Sequence, residues 1–279
     1  MSQKKVAVIG AGGKMGYRVS ANLKNSPYDV KHVEVSEAGR ERLKKELGIA
    51  CVDADTALRD ADIVLLTIPD NMIEKVTKQL VSKFKKGATL IALDAAAPFA
   101  GHLPDREDLT IFVAHPCHPP IFNDETDLEA KRDYFGGIKA KQAIVCALLR
   151  GDEKNYAVAE DVAKRMYAPV IRSHRATVDQ MAILEPVLSE TVCATCLTII
   201  REATDEAVRR GVPEAAARDF ILGHLNVELA ILFDQLPGVR MSDAANKAVE
   251  RAKKEIFAPD WKKVFEREAI AENIRMITS

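Results

Sequence analysis

Near its start the chain reads Val6-Ala7-Val8-Ile9-Gly10-Ala11-Gly12-Gly13-Lys14-Met15-Gly16, an apolar run that leads into a glycine-rich turn. The apolar run predicts a buried strand, and the residues after the turn predict an amphipathic helix. Glycines allow a tight turn and a close approach to a pyrophosphate, and a helix N-terminus offers unpaired N–H groups. The stretch therefore predicts a dinucleotide-binding turn made of Gly10, Ala11, Gly12, Gly13, Lys14, Met15 and Gly16.

An acidic residue stands at the distance that such a turn requires. Glu34 lies at the end of the second predicted strand, about 20 residues beyond the turn. A carboxylate at this place accepts hydrogen bonds from both hydroxyls of an adenosine ribose and repels a 2′-phosphate, so NAD is preferred over NADP. The alternative is an ordinary surface turn with a solvated Glu34.

The third predicted strand ends in Thr67-Ile68-Pro69-Asp70-Asn71. In a doubly wound sheet, ligands bind beyond the carboxyl ends of the strands. Asp70 is therefore expected to line the cofactor near its middle. An equally good interpretation makes Asp70 the cap of the following helix.

The first part of the chain alternates apolar runs with amphipathic stretches. This β-α-β alternation predicts an α/β fold with a doubly wound parallel sheet of the Rossmann type. The predicted strands are Val6–Ile9, Val30–Val35, Ile63–Ile68, Thr89–Leu93, Ile111–Ala114, Ala143–Leu148 and Val170–Arg172. The predicted helices between them are Met15–Asn25, Glu37–Leu47, Asn71–Phe84 and Glu153–Met166.

The alternation stops after residue 173. Long helical patterns follow at Thr177–Arg210 and Pro213–Gln235, and shorter ones at Ser242–Ile256 and Trp261–Met276. We therefore predict an NAD-binding Rossmann domain over residues 1–173 and an all-α domain for substrate binding and dimerisation over 174–279. Within the first long helix, Cys193 and Cys196 have the spacing of a metal or redox motif but are interpreted as core residues.

The composition excludes several classes of protein. The 279 residues include 40 Lys and Arg against 41 Asp and Glu, and 47% are hydrophobic. A chain of this kind forms a full core, and its balanced charge does not predict nucleic acid as a partner. No uninterrupted apolar run reaches the length of a membrane span. We therefore expect a soluble cytoplasmic protein without a membrane or nucleic-acid partner.

Two histidines stand in a proline-rich loop, His115-Pro116-Cys117-His118-Pro119-Pro120, directly after a predicted strand. Prolines make the loop rigid, and the carboxyl end of a strand is a suitable place to fix an imidazole. His115 and His118 are therefore candidates for proton transfer or metal ligation. The alternative is a structural turn whose histidines cap nearby carbonyl groups.

Glu185 is the carboxylate of the first long helix that we expect to face a cleft. Pro186 follows it and should disturb the helix, which would redirect the Glu185 side chain. A carboxylate satisfied at a helix contact is the alternative. No lysine occurs between Lys164 and Lys247, whereas eight arginines do. This stretch therefore supplies no lysine general base.

The first part of the chain resembles the 6-phosphogluconate dehydrogenase-like superfamily, whose Rossmann domains carry helical C-terminal domains. The loop around His115 looks like the His-Pro loop of prephenate dehydrogenases. Over nearly the whole chain, the sequence resembles the D-apionate oxidoisomerase family. That likeness rests on the glycine turn, on the proline-rich histidine loop, on Ile183-Leu184-Glu185-Pro186-Val187 and on Pro259-Asp260-Trp261-Lys262.

The family resemblance implies NAD-dependent oxidation of a branched sugar acid, coupled to rearrangement of its carbon skeleton to 3-oxo-isoapionate. His115 would then remove the hydroxyl proton, alone or through a divalent metal ion held by His115 and Glu185. The family also implies a homodimer, which we expect to form through the helical domain. The alternatives are a simple hydroxyacid or decarboxylating phosphogluconate-type dehydrogenase and a non-catalytic NAD(H)-sensing protein.

Overall fold

The computed structural model describes residues 3–279 and contains one seven-stranded sheet. Its strands follow the order β2-β1-β3-β4-β5-β6-β7. They comprise β1 (Lys5–Ile9), β2 (Asp29–Val33), β3 (Ile63–Leu66), β4 (Thr89–Ala92), β5 (Thr110–Pro116), β6 (Gln142–Arg150) and β7 (Val170–Arg175). The predicted α/β fold with a Rossmann sheet is therefore confirmed, and each predicted strand has a counterpart.

One strand departs from the predicted parallel sheet. β6 runs antiparallel to β5, whereas all other neighbouring strands are parallel. Among the described residues between β5 and β6, only a five-residue helix interrupts an irregular segment. An antiparallel neighbour needs no full crossover helix, and a buried apolar strand has the same pattern in either direction. The direction was therefore not visible in the sequence.

Helices flank the strands in the first part of the chain. They are α1 (Lys14–Leu23), α2 (Glu37–Arg42), α3 (Ala54–Leu58), α4 (Asp70–Leu80), α5 (Ala96–Phe99), α6 (Leu128–Arg132), α7 (Lys154–Met166) and α8 (Val178–Ala182). A π-helical turn at Leu43–Leu47 continues α2. The sequence did not predict α3, α5 and α6, because helices of four or five residues have too little periodicity to detect.

The helical part continues without a break from α8. A π-helical segment at Ile183–Ala194 contains Pro186, and α9 follows at Thr195–Arg209. A π-helical turn is wider than an α-helical turn. It accommodates Pro186, which cannot donate the usual backbone hydrogen bond. The remaining helices are α10 (Glu214–Leu232), α11 (Asp243–Ile256) and α12 (Arg267–Thr278).

The chain forms two compact units. The first comprises Met1–Pro186 together with Ala271–Ser279, and the second comprises Val187–Ile270. The compact units thus divide after Pro186 instead of at residue 173, and the last nine residues belong to the first unit. The assignment of cofactor binding to residues 1–173 and of substrate binding and dimerisation to 174–279 stays a prediction.

The core of the first unit lies on both faces of the sheet. One cluster includes Val8, Leu65 and Phe112, and a second includes Val64, Leu66 and Leu90. Neighbouring residues of β3 thus point into different clusters, as strand geometry requires. A strand buried on both faces explains the uninterrupted apolar runs of the sequence.

The second unit buries few of its own side chains. Among residues 187–270, the hydrophobic residues that are buried are Val187, Ala217 and Ile270. Cys193 is exposed and Cys196 is only partly buried. The interpretation of these cysteines as core residues is therefore wrong for the single chain, because the helix that carries them packs few residues around this face.

The helical run Val178–Arg209 is long and apolar enough, by length and composition, to cross a membrane. Its 18-residue window has a mean hydropathy of 1.6, and 11% of that window is buried. The run contains Glu185 and Glu190, so it is not one of the uninterrupted apolar sequences that the prediction considered. Helices of soluble proteins can meet the same criterion of length and hydropathy.

Candidate functional site

His115 is held in one tautomer by the strand next to it. Its Nδ1 lies 2.9 Å from the backbone oxygen of Leu93. A carbonyl oxygen only accepts, so Nδ1 carries the hydrogen and Nε2 of the neutral ring keeps its lone pair. Nε2 is buried and has no hydrogen-bond partner among residues 3–279. The ring therefore presents an unused acceptor atom.

Two carboxylates flank this ring. Glu185 Oε2 lies 3.4 Å from His115 Nε2, and Asp94 Oδ2 lies 3.4 Å from Nδ1. Asp94 follows β4 and is oriented by a hydrogen bond that its Oδ1 accepts from the Ala96 amide at 2.7 Å. One potential ligand atom from each of these three residues lies within 4.8 Å of the others. A neutral imidazole and two carboxylates form a donor set that fits a divalent cation.

A third carboxyl group lines the same cavity. Asp70 is the first residue of α4, and its Oδ1 is buried without a hydrogen-bond partner in the described part of the chain. Burial, followed by the negative charge of Asp94, raises the pKa of Asp70 to about 6. Both effects disfavour the ionised form, so Asp70 is more readily protonated than an exposed aspartate.

The cavity has a volume of about 430 Å³ and joins the predicted cofactor turn to the histidine loop. All of its lining residues belong to the first unit. They include Gly13, Lys14, Met15, Asp70, Asp94, His115, His118, Phe135 and Glu185. The structure thus brings together the predicted catalytic and metal-binding residues and several of the predicted cofactor-binding residues.

The glycine turn is packed too tightly for side chains at three of its positions, Gly10, Gly12 and Gly16. A Cβ atom on Gly16 would lie 2.0 Å from the Gly10 carbonyl oxygen. Gly10 has a φ of +84°, and a Cβ atom there would lie 2.6 Å from Ile68 Cγ2. These glycines allow α1 to begin directly above the ends of β1 and β3. The amides of the first helical turn lack partners within their own helix, which fits an anionic ligand.

Glu34 lies beside this turn. Its Oε2 accepts a hydrogen bond from the Gly12 amide at 2.6 Å, and its Oε1 accepts one from the Ser36 amide at 2.8 Å. A cavity of about 350 Å³ adjoins these residues and is also lined by Arg42. The carboxylate is therefore fixed where the predicted ribose would lie, while both of its oxygens retain further acceptor capacity.

His118 and Phe135 connect the histidine loop to the cofactor turn. His118 donates from Nδ1 to the Phe135 carbonyl oxygen at 2.9 Å, and its ring centroid lies 6.2 Å from that of His115. The Lys14 ammonium lies 4.0 Å from the centroid of the Phe135 ring, and the Arg18 guanidinium lies 4.7 Å from it. These cation–π contacts hold α1 against the segment that contains Phe135, which His118 joins to the histidine loop.

Family models match both parts of the chain. Residues 1–119 match the model described as acetohydroxy acid isomeroreductase, NADPH-binding domain. Residues 123–278 match the model described as phosphogluconate dehydrogenase (decarboxylating) C-term. The two matches agree with a Rossmann domain followed by a helical domain of the 6-phosphogluconate dehydrogenase-like superfamily.

Two relatives match over almost their full lengths. A D-apionate oxidoisomerase from Cupriavidus necator is 59% identical over 276 residues, which cover 99% of this chain and 100% of the relative. The chain belongs to the D-apionate oxidoisomerase family. A second member, from Rhizobium rhizogenes, is 59% identical over 273 residues, which cover 98% of this chain and 99% of the relative.

Solved structures share the fold of this D-apionate oxidoisomerase family member. A semialdehyde dehydrogenase NAD-binding protein from Cupriavidus necator, in complex with calcium and NAD, is 58% identical. Its TM-score is 0.97, and the match covers 99% of this chain and 100% of that one. An NADH-preferring ketol-acid reductoisomerase from an uncultured archean is 18% identical with a TM-score of 0.69, covering 99% of this chain and 82% of that one. That likeness shows the fold alone.

Sequence reasoning missed two residues of the site in this D-apionate oxidoisomerase family member. Asp94 stands at the carboxyl end of β4, beside the strand that carries His115, and this position was a detectable signal. Phe135 lies in the irregular segment between β5 and β6, where no periodic pattern indicates which side chains turn inward.

Proposed function

We propose that the chain is an NAD-dependent oxidoreductase of the D-apionate oxidoisomerase type, acting on a small polyhydroxy acid. The observation that carries the proposal is the cluster of Asp94, His115 and Glu185 in the cavity that also borders the glycine turn. Support comes from relatives that bear this name and are 59% identical over the whole chain. D-Apionate is the proposed substrate, and the proposed product has a rearranged skeleton.

NAD would lie over Gly10–Gly16, with its adenosine ribose on Glu34. When bound, NAD supplies the hydride acceptor for the oxidation. The packed turn and the fixed Glu34 carboxylate fit this ligand, and the Cupriavidus necator protein is an NAD complex. Asp70 and Lys14 line the cavity beside the turn, where the chain would orient the reactive end of the cofactor toward the substrate.

A divalent cation would be held by Asp94, His115 and Glu185. When bound, such an ion polarises hydroxyl and carboxylate oxygens of the substrate. The buried Nε2 of His115 lies 3.4 Å from Glu185 Oε2 and has no hydrogen-bond partner among residues 3–279, which suits a ligand atom. Further support is the calcium in the Cupriavidus necator complex. The prediction from sequence named His115 and Glu185, and the geometry adds Asp94 to the proposed set.

Which of the two histidines accepts the hydroxyl proton would depend on whether the cation is bound. Without the cation, His115 Nε2 accepts the hydroxyl proton, because it has no other hydrogen-bond partner among residues 3–279. With the cation, Nε2 of His115 would be a ligand, and His118 would be the neighbouring imidazole whose Nε2 remains available. His118 already uses Nδ1 to donate to Phe135, so its Nε2 is the acceptor atom of the neutral ring.

The second unit would form a homodimer with a second copy of the chain. Its exposed apolar side chains include Leu197, Phe220, Leu222, Leu232 and Phe233, which are 50–66% exposed. A patch of this kind is unusual on a monomer and is typical of an interface. A copy of the same surface would cover it, so we propose a cytoplasmic dimer without a membrane or nucleic-acid partner. Light scattering that shows a monomer at every concentration would exclude the dimer, and flotation with lipid vesicles would contradict the soluble state.

A substrate screen with NAD tests the proposed activity. The purified chain is mixed with NAD and with D-apionate, threonate, 6-phosphogluconate or simple hydroxyacids, and NADH formation is followed by absorbance. We expect the highest kcat/KM with D-apionate and a large loss of turnover after removal of divalent cations. If turnover survives chelation, the proposed cation site is wrong and His115 remains the proposed base. Turnover only with hydroxyacids or 6-phosphogluconate would favour the simpler dehydrogenase, and NADH binding without any turnover would favour the sensor.

A further inference from the structure

Helix α2 lies against the glycine turn at a point where both backbones lack a side chain. A Cβ atom on Gly12 would lie 2.7 Å from the Cα atom of Gly39. Gly39 is the third residue of α2, and Ser36 caps that helix by accepting a hydrogen bond from the Gly39 amide at 3.3 Å. The turn and the helix are thus in direct backbone contact. No side chain could be added on either side without a displacement.

The space beside Gly39 is occupied by the Glu34 side chain. A Cβ atom on Gly39 would lie 2.9 Å from Glu34 Cγ and 3.0 Å from Glu34 Cδ. These separations are shorter than ordinary carbon–carbon contacts in packed proteins. Glu34 directly follows β2 and Gly39 lies within α2, so the flexible Glu34 side chain is the part that would move most easily.

The backbone of α2 does not itself require a glycine at this position. Gly39 is helical and does not have a positive φ, unlike Gly10 or Gly48. Alanine would favour the helix over glycine. The glycine is therefore explained by the room that it leaves for Glu34, whose oxygens accept hydrogen bonds from the Gly12 and Ser36 amides.

Two arginines lie near Glu34, and one of them, Arg40, also pairs with Glu37 at 3.4 Å. Arg42 lines the same cavity, donates to the Gly13 carbonyl oxygen at 3.4 Å and lies 4.2 Å from the centroid of the Tyr17 ring. Arg40 lies on the same helix and donates to the Val35 carbonyl oxygen at 3.2 Å. Without a correctly placed carboxylate, these guanidinium groups would suit the 2′-phosphate of NADP.

From this geometry we infer that Gly39 is a positioning residue that sets the preference for NAD over NADP by leaving space for the Glu34 carboxylate. The inference rests on the proposed function, because it assumes that the turn binds a dinucleotide. Gly39 acts through Glu34 and does not need to touch the cofactor. A side chain at position 39 would displace the carboxylate from the ribose site and remove its repulsion of a 2′-phosphate.

Calorimetric titration of Gly39→Ala with NAD and with NADP tests the inference without relying on turnover. We expect the ratio of NADP Kd to NAD Kd to fall by at least about tenfold relative to the unchanged chain. Gly223→Ala is the matched control, because it lies in helix α10 and a Cβ atom there meets nothing within 4 Å. Its ratio is expected to stay unchanged.

A double variant shows whether the effect runs through Glu34. In a Glu34→Ala background, Gly39→Ala should cause no further change in the ratio, and the double variant should melt at a higher temperature than Gly39→Ala alone. This comparison also covers the case in which Gly39→Ala folds poorly, since removal of the Glu34 side chain relieves the crowding. Equal effects in both backgrounds, or an unchanged ratio in Gly39→Ala, would overturn the inference. An unchanged chain that binds neither dinucleotide would instead overturn the proposed function on which the inference rests.

Discussion

The two compact units of the chain differ in how they are stabilised. The first unit has buried clusters on both faces of its sheet and contains all the residues that line the candidate site. The second unit spans Val187–Ile270 and buries only three hydrophobic residues of its own among those described. A dry core holds catalytic groups in fixed positions, whereas exposed apolar helices need a second surface. The comparison teaches that the first unit can build the site from its own chain, whereas the second leaves apolar side chains exposed, which is the basis of the proposed dimer.

Changes at the Asp94–His115–Glu185 cluster are expected to have the largest effect. Glu185→Gln should lower kcat by about 10²–10⁴-fold, because it removes a charged group beside the unused Nε2 of His115. The melting temperature should change little, since the side chain is partly exposed. The matched control is Glu107→Gln, an exposed position outside the cavity. Near-normal turnover of Glu185→Gln would show that the cluster is not the reacting site.

The core of the first unit gives the next largest effect. Leu65→Ala should lower the free energy of unfolding by about 3 kcal/mol, because Leu65 is completely buried in β3 and its truncation leaves a cavity. Leu232→Ala in the second unit is the matched control, since that side chain is 62% exposed. At low protein concentration it should cost less than about 1 kcal/mol. Equal losses in denaturant unfolding would contradict the difference between the two units.

A charged residue on the apolar surface of the second unit tests the proposed dimer, because it should weaken self-association without unfolding the chain. Phe233 is 65% exposed, and Phe233→Glu should weaken self-association by about tenfold or more, because a carboxylate would be buried at the proposed interface. Analytical ultracentrifugation measures the change. Leu128→Glu is the control, because Leu128 is 67% exposed in the first unit. A dimer constant that is equally sensitive to both changes would place the interface elsewhere.

Acidification should destabilise the first unit through a buried histidine. His32 is 6% exposed, and burial lowers its pKa to about 4, so it is neutral in the folded state near neutral pH. Between pH 6.5 and 4 the unfolded chain binds this proton more readily than the folded chain, and stability therefore falls as the pH falls. The loss attributable to His32 should reach about 3 kcal/mol at pH 4.

The histidine effect is measured by denaturant unfolding of His32→Leu across this pH range. That variant should lose stability less steeply than the unchanged chain as the pH falls. His224→Leu, on an exposed position of α10 in the second unit, is the matched control for replacing a histidine by leucine. Parallel curves for His32→Leu and the unchanged chain would show that His32 does not remain neutral in the core.

The first unit was also the part that the sequence predicted better. Apolar runs such as Ile63–Leu66 predict strands buried on both faces, and the glycine turn fixes the order of strand, turn and helix. The direction of β6 was not predictable, because it depends on the irregular segment before it. His115 and Glu185 lie close together as expected, and Asp94 joins them from the end of β4, a position that could have been recognised in the sequence.

In the second unit, the sequence predicted the helices but not what covers their apolar faces. Its helices were detected from their periodicity, yet Cys193 was assigned to a core that the single chain does not have. An apolar helical face has the same sequence pattern whether it is covered by its own chain or by another molecule. The position of Pro186 predicted a disturbed helix, but the sequence did not specify the π-helical form at Ile183–Ala194.

The most direct test of the account is the structure of the product made from ¹³C-labelled D-apionate and NAD, determined by NMR together with the amount of NADH formed. The account predicts a rearranged carbon skeleton and one NADH for each product molecule, with both lost together in Glu185→Gln. NADH formed with an unrearranged skeleton would contradict the oxidoisomerase. The absence of NADH, while NAD still binds to the chain, would contradict the enzyme altogether.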